Sequence, residues 1–221
     1  MALLATLMCG ATAAGASMVL YMPPRDLAGH AGLIFAGTVT GSRPEKVRGT
    51  VITYVVFRDL RLAKGTATGD SVLLALEGGT VGNDLIVVTG QPNFEVGNRY
   101  VLFVLPDRGP GKNSLTPVVG LYQGYFKVER LPGSRGSIVL DGLLRPVVRI
   151  SPDQVTVVMP DSLFPAAIRE RMIARGHADS LREARWGLEH RNRGGVLREP
   201  EDPGTRVSEE EFLEAVRGFS Q

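Results

Sequence analysis

The chain has almost no cysteine: the single thiol, Cys9, lies in a charge-free stretch at the N-terminus. If that stretch is removed, the remaining protein can form no disulfide, hold no cysteine-ligated metal and offer no thiolate nucleophile. A disulfide-free exported domain of this size is more typical of bacteria than of small animal secreted modules, which are disulfide-dense. Histidine is nearly as scarce, with three in 221 residues. His30 stands near the N-terminus, while His177 and His190 are thirteen residues apart near the C-terminus. No His-x-x-x-His pair exists, and a working histidine site needs at least two converging groups. All three read as surface residues. Net charge is also small, at a formal +2. That gives no electrostatic case for nucleic acid or an anionic membrane. A Gly-x-Ser-x-Gly nucleophile elbow is missing. No catalytic residue, metal site or cofactor site is therefore expected.

What is present is ordinary for a globular protein, with 43% hydrophobic and 22% charged residues. Residues 1–16 carry no charge and end in Ala14-Gly15-Ala16, which predicts a signal peptide cleaved before Ser17. Met8 is not the small residue that lipidation of Cys9 would want. The expected location is secreted or periplasmic, with no stable membrane span after cleavage.

Period-2 patterning begins at Gly32–Thr40 and predicts the first strand, with one bulkier apolar side. Gly37 interrupts that side and suggests a bend or a close backbone approach. A loop is expected at 41–49, then the longest strand at Thr50–Leu62. Further strands are expected at Ser71–Leu76, Asp84–Thr89, Asn98–Leu105 and within Pro117–Val128, with a last hairpin of Ser137–Leu140 and Pro146–Ile150 across Asp141-Gly142. Gly78-Gly79-Thr-Val-Gly82 is loosely like a phosphate-binding loop. A strand follows it rather than a helix, so it reads as a hairpin connection. Short strands at this spacing argue for an all-β barrel or sandwich.

Helical patterning appears only after about Pro160, in Phe164, Ile168 and Met172, with Gly176 as a cap. Ser180–Glu183 and Ser208–Glu211 fit the capping-box pattern. The expected division is a signal peptide at 1–16, a lead-in at 17–27, a β-barrel domain at 28–150 and a helical tail at 151–221. The tail would be loosely attached and partly disordered, with a linker at 191–207.

Some constellations invite a chemical reading. Asp59, Asp70, Glu77 and Asp84 could serve a carboxylate-only enzyme site, although solvation at strand ends explains each. Glu210 and Glu214, beside Arg206 and Arg217, read as surface charge patterning on a helix. Tyr122, Tyr125 and Phe126 could form a stacking platform for a nucleic-acid single strand; core packing is the stronger reading.

Ala28-Gly-His-Ala-Gly-Leu-Ile-Phe-Ala-Gly-Thr-Val-Thr40 resembles the opening strand of netrin-like modules and the tissue inhibitors of metalloproteinases. Phe94-Glu-Val-Gly-Asn-Arg-Tyr-Val-Leu-Phe103 is similar to those families' turn-then-strand segment. The resemblance implies a mainly β fold: an OB-like Greek-key barrel with loops available for binding, here followed by the helical tail. The animal inhibitors chelate a protease zinc through an N-terminal cysteine, which this chain lacks, so none of their inhibitory residues carries over. The resulting expectation is a non-enzymatic exported module that binds another macromolecule, with a protein partner such as a secreted protease foremost and no nucleic acid. A cell-envelope structural protein and a carboxylate-based enzyme are the alternatives.

Overall fold

In the computed structural model, residues 20–106, 116–130, 136–157 and 206–219 are described. The 1–16 segment, His177, His190, the Phe164–Met172 pattern, the Ser180–Glu183 box and most of the 191–207 linker lie outside them.

Pro24 opens helix α1 (Pro24–His30). Its fixed φ and missing N–H suit a first helical turn. Strand β1 (Leu33–Val47) follows and is longer than its pattern implied. It continues through the expected loop and pairs with β2 (Thr50–Lys64) as far as Val47 and Thr50. Only Arg48 and Gly49 form the turn, with φ of 48° and 88°. Both values are those of a tight hairpin whose twist matches its strands. Gly37 sits where the β1–β2 register shifts between Ala36 and Thr38. A Cβ there would meet the Phe35 and Leu60 side chains at 3.1 Å, so what crowds this glycine is side chains and not the backbone approach expected.

Strand β3 (Val72–Glu77) pairs with β2. A small hairpin, β4 (Gly79–Val81) and β5 (Asp84–Ile86), then turns at Gly82-Asn83. Strand β6 (Arg99–Val104) returns beside β1, followed by a short 3-10 turn at Leu121–Gly124, β7 (Tyr125–Arg130) and β8 (Ser137–Leu140). The six-stranded antiparallel sheet has the order β3-β2-β1-β6-β7-β8. Laying the fourth strand beside the first of a three-strand meander is a Greek-key connection.

The expected barrel does not close among the described residues. β7 lies between β6 and β8, so both its edges are used and none is left for β3. The expected last hairpin is also different. β8 pairs with β7 and meets the next segment at one bridge, Leu140 to Pro146, while β9 (Val147–Ile150) pairs with β10 (Val155–Val157). The Asp141 carboxylate organises this corner by accepting from the backbone N–H groups of Leu143 at 3.0 Å and Arg145 at 2.8 Å.

Both faces of the sheet are buried near β1, not one as the pattern suggested. Ile34 and Ala36 join Val101, Phe103, Phe126 and Val139 on one face. Phe35 and Val39 join Phe57, Phe94, Tyr100 and Tyr125 on the other. On that second face, rings stack edge-on from Phe35 to Phe57 at 5.5 Å, Phe57 to Phe94 at 5.2 Å and Phe94 to Tyr100 at 5.2 Å. Edge-to-face contacts of this kind add to the gain from burial.

The first face is closed by α1 and by helix α2 (Glu209–Phe219). Here the described end of the expected tail, α2, is packed into the core rather than loosely attached. Phe212, Leu213 and Val216 of α2 are all 0% exposed, and Phe212 lies 4.6 Å from the Phe126 ring. Val207, assigned to the linker, is buried and sits between strands. It accepts from Val139 N–H at 3.1 Å and donates to the Val147 carbonyl at 3.1 Å. The Ser208–Glu211 capping box forms as its spacing predicts. Ser208 N–H donates to Glu211 Oε2 at 2.8 Å, and Glu211 N–H donates to Ser208 Oγ at 3.3 Å. The Ser208 N–H, joined by the Ser208 hydroxyl donating to the same Oε2 at 2.8 Å, holds the Glu211 carboxyl below its ordinary value.

Candidate functional site

The two edges of the main sheet are treated differently. Beyond β8 the sheet is continued by Val207, as described above. Beyond β3 no strand follows among the described residues. Gly78 N–H donates to the Val51 carbonyl at 2.7 Å. Every second residue back along β3 therefore directs its backbone groups at β2: Leu76, Leu74 and Val72. The amides and carbonyls of Leu73, Ala75 and Glu77 point the other way, into the open edge. The Glu77 carbonyl is taken by Gln91 Nε2 at 2.6 Å, which ends the row. Gln91 Oε1 is buried without a hydrogen-bond donor.

The side chains of this edge carry little protection. Proteins blunt free edges with lysine, proline or inward-pointing charge. Val72-Leu-Leu-Ala-Leu76 has none of these. Val72, Leu74 and Leu76 are buried, whereas Leu73 is 62% exposed. Leu73 and Ala75 stand opposite Val56 and Tyr54 of β2, so all four share the outer face. Charge appears only at the ends. Asp70 precedes the strand and pairs with Arg58 at 2.6 Å, and Glu77 closes it, accepting from Thr50 Oγ1 at 3.3 Å.

A second polar arrangement lies inside. Lys127 stands opposite Tyr100, so it enters the aromatic side of the sheet, and it is 2% exposed. Its Nζ lies 2.8 Å from Glu129 Oε1, a separation that makes an ion pair, but the angle is not that of a hydrogen bond. Tyr100 Oη accepts from Glu95 N–H at 3.1 Å. Burial pushes the Tyr125 hydroxyl well above the ordinary phenol range, and Tyr100, Glu95 and Glu129 push it further. Burial also raises Tyr100. The tyrosines stay neutral donors, and the one cation is matched by one carboxylate. Such a set specifies the packing of the inner face.

The residues singled out from sequence are spread over the molecule. Asp59 and Asp70 border one open hollow of about 440 Å³ with Arg58, Leu60 and Leu62. Asp59 has a left-handed backbone, φ 53°, and its carbonyl accepts from Arg99 Nη1 at 2.9 Å. Glu77 lies on β3, and Asp84 pairs with Lys46 at 2.6 Å. The four carboxylates are not brought to one place. Tyr125 and Phe126 are buried on opposite faces of β7, and Tyr122 lies in the 3-10 turn. Consecutive strand residues cannot share a face, so the three make no stacking platform. His30 ends α1, exposed, with Nδ1 2.7 Å from the Asp26 carbonyl. Glu210 lies 3.8 Å from Arg61, as surface charges do. Sequence reading missed the β3 edge, although the uncharged run Val72–Leu76 was its signal. It also missed Lys127, for which no local signal exists. Among the described residues, no helix is long and apolar enough to cross a membrane. No family model matches the chain, no curated protein matches it, and no solved structure matches it.

Proposed function

We propose that this protein is an exported module of OB type, secreted or periplasmic, that works by holding a protein partner. The observation that carries this reading is the open β3 edge: a row of outward backbone groups, apolar side chains on both faces and no blunting charge within it. Main-chain pairing at such an edge is a general mode of peptide recognition. The strand order supports the OB part of the reading. β3-β2-β1-β6-β7 follows the order of an OB meander whose fourth and fifth strands return beside the first. The two segments that resemble netrin-like modules fall on β1 and β6, which are neighbours in the sheet. A secreted protease is the partner class that the resemblance points to.

The test uses residues 17–221 as bait against culture medium and periplasmic extract of the native host, with heat-unfolded bait as control. One protein retained by the folded bait alone, and then bound by it in purified form with a defined stoichiometry, is the expected result. Retention of nothing from either fraction overturns the reading.

A further inference from the structure

Two copies of the β3 edge match one another in hydrogen bonds, in side-chain size and in charge. We propose that two molecules join along it, antiparallel about a two-fold axis at Leu74, so that their sheets become one. The dimer goes beyond the binding-module reading and stands without it. Where both hold, a partner laid along β3 competes with the second copy for the same backbone groups.

An antiparallel ladder joins outward residues only to outward residues, so few registers are open. On β3 the outward backbone groups are those of Leu73, Ala75 and Glu77, and the Glu77 carbonyl already accepts from Gln91 Nε2. Pairing about Ala75 would press Leu73 of each copy against that filled end. Pairing about Leu73 would spend Ala75 on Ser71, which lies ahead of the strand. Pairing about Leu74 sets Leu73 of one copy opposite Ala75 of the other, twice over. Both residues then exchange N–H and C=O in each apposition, and no outward group between Val72 and Leu76 is left over. The ladder ends with Val72 opposite Leu76, just short of Glu77 and Gln91.

Residues opposed in a ladder share a face. On the outer face Leu73, 62% exposed, comes to rest on the small Ala75 of the second copy, with Tyr54 of that copy behind it. The same contact is made in reverse. On the inner face Leu74 meets Leu74 and Val72 meets Leu76, so no charge enters the seam. Its two ends are charged in a matching sense. One step beyond Phe57 and Val72, the β2–β3 register carries Arg58 next to Ser71. Glu77 of the second copy arrives on the other side of that serine. The Arg58 and Glu77 backbones are then two strand spacings apart, about 10 Å, a gap that the two side chains bridge over the short serine. Asp70 already holds Arg58 at 2.6 Å, and the guanidinium has donors for both carboxylates. Outward bonds, a large residue over a small one and a cation facing a carboxylate are all supplied by β3 and its neighbour β2. A second copy is therefore the occupant that these features specify. The seam covers Val72 to Leu76 only, so the dimer is a reversible one that forms at micromolar concentration and above.

Sedimentation equilibrium of the chain from residue 17 onward is expected to give a monomer–dimer balance with Kd below about 200 µM. A monomer at every concentration up to about 500 µM overturns the proposal. Beyond Cys9 the chain has no cysteine, so introduced thiols report the register. Leu73→Cys and Ala75→Cys, both on the outer face, are mixed and oxidised. Opposed positions in a hydrogen-bonded pair lie about 5.5 Å apart, within disulfide reach, whereas like positions fall beyond about 7 Å. The mixture is expected to yield at least about fivefold more covalent dimer than either variant alone. Equal yields overturn the Leu74 register. Leu73→Glu sets a carboxylate diagonal to Glu77 of the second copy. It is expected to weaken the dimer at least about tenfold, with an unchanged thermal midpoint in dilute solution. A dimer as tight as the parent's in that variant places the contact elsewhere and overturns the proposal.

Discussion

Arg99 and Glu209, 110 residues apart in sequence, are joined by two parallel contacts: Nε to Oε2 at 2.6 Å and Nη2 to Oε1 at 2.9 Å. The remaining guanidinium nitrogen reaches Thr38 Oγ1 at 3.2 Å and the Asp59 carbonyl at 2.9 Å. One arginine at the start of β6 thus ties the first turn of α2 to β1 and to the bulge in β2. The Glu209 side chain is 9% exposed and that of Arg99 21%.

Removing the carboxylate strands a mostly buried guanidinium. Glu209→Ala is expected to lose about 2–3 kcal/mol in urea unfolding, below the range for a fully buried pair because Arg99 keeps some water. Arg99→Lys should lose a similar amount, since a point charge cannot replace the two-pronged fork. A loss under about 0.5 kcal/mol in both would rank the pair with ordinary surface bridges.

Helix α2 closes one face of the core. Phe212→Ala is expected to cost about 3–5 kcal/mol, because the ring is fully buried against Phe126. A chain ending at residue 157 should lack cooperative thermal unfolding. A folded, cooperative fragment would restore the division between a β domain and a dispensable tail.

Lys127 and Glu129 form a pair that is costly to break and cheap to replace. Glu129→Leu alone leaves an ammonium in the aromatic face, and about 3 kcal/mol should be lost. The double variant Lys127→Met with Glu129→Leu should recover at least to within about 1 kcal/mol of the parent. If the double variant is no better than the single one, the lysine is held by more than this carboxylate.

Tyr125 predicts an alkaline limit. Its folded hydroxyl lies well above the ordinary value of 10.0. Between the two values the unfolded chain has released the proton and the folded chain has not, so stability falls as pH rises. The contribution is complete below about pH 10 and is lost progressively above it. Thermal midpoints measured from pH 8 to 11 should decline more steeply for the parent than for Tyr125→Phe. Parallel declines would assign the effect to other groups.

Much of the sheet was legible because its strands obey local rules. Alternation located β1, β2, β3 and β6, and Ser208 with Glu211 marked the start of α2. What was not legible depends on partners far along the chain. Gly41 to Val47 looks like a loop, with its glycine, Pro44 and scattered charges, yet pairing with β2 keeps it extended. In α2 the run Glu209-Glu210-Glu211 looks like a solvated helix, and it hides the stripe of Phe212, Leu213 and Val216. Glu209 is buried only because Arg99 awaits it. The β3 edge needed the pairing pattern, since alternation says which side chains are buried but not which backbone edge lacks a neighbour.

The place of Val207 also governs timing. It lies between β8 and β9 and leads directly into the helix that packs with α1. The lid over the first residues described is therefore made from the last. A growing chain can pair β1 with β2 as soon as both have emerged, but α1 and its side of the sheet stay uncovered until residue 219 is free. Folding to the final state must then wait until α2 has emerged. Until then a wide apolar surface is on offer to chaperones.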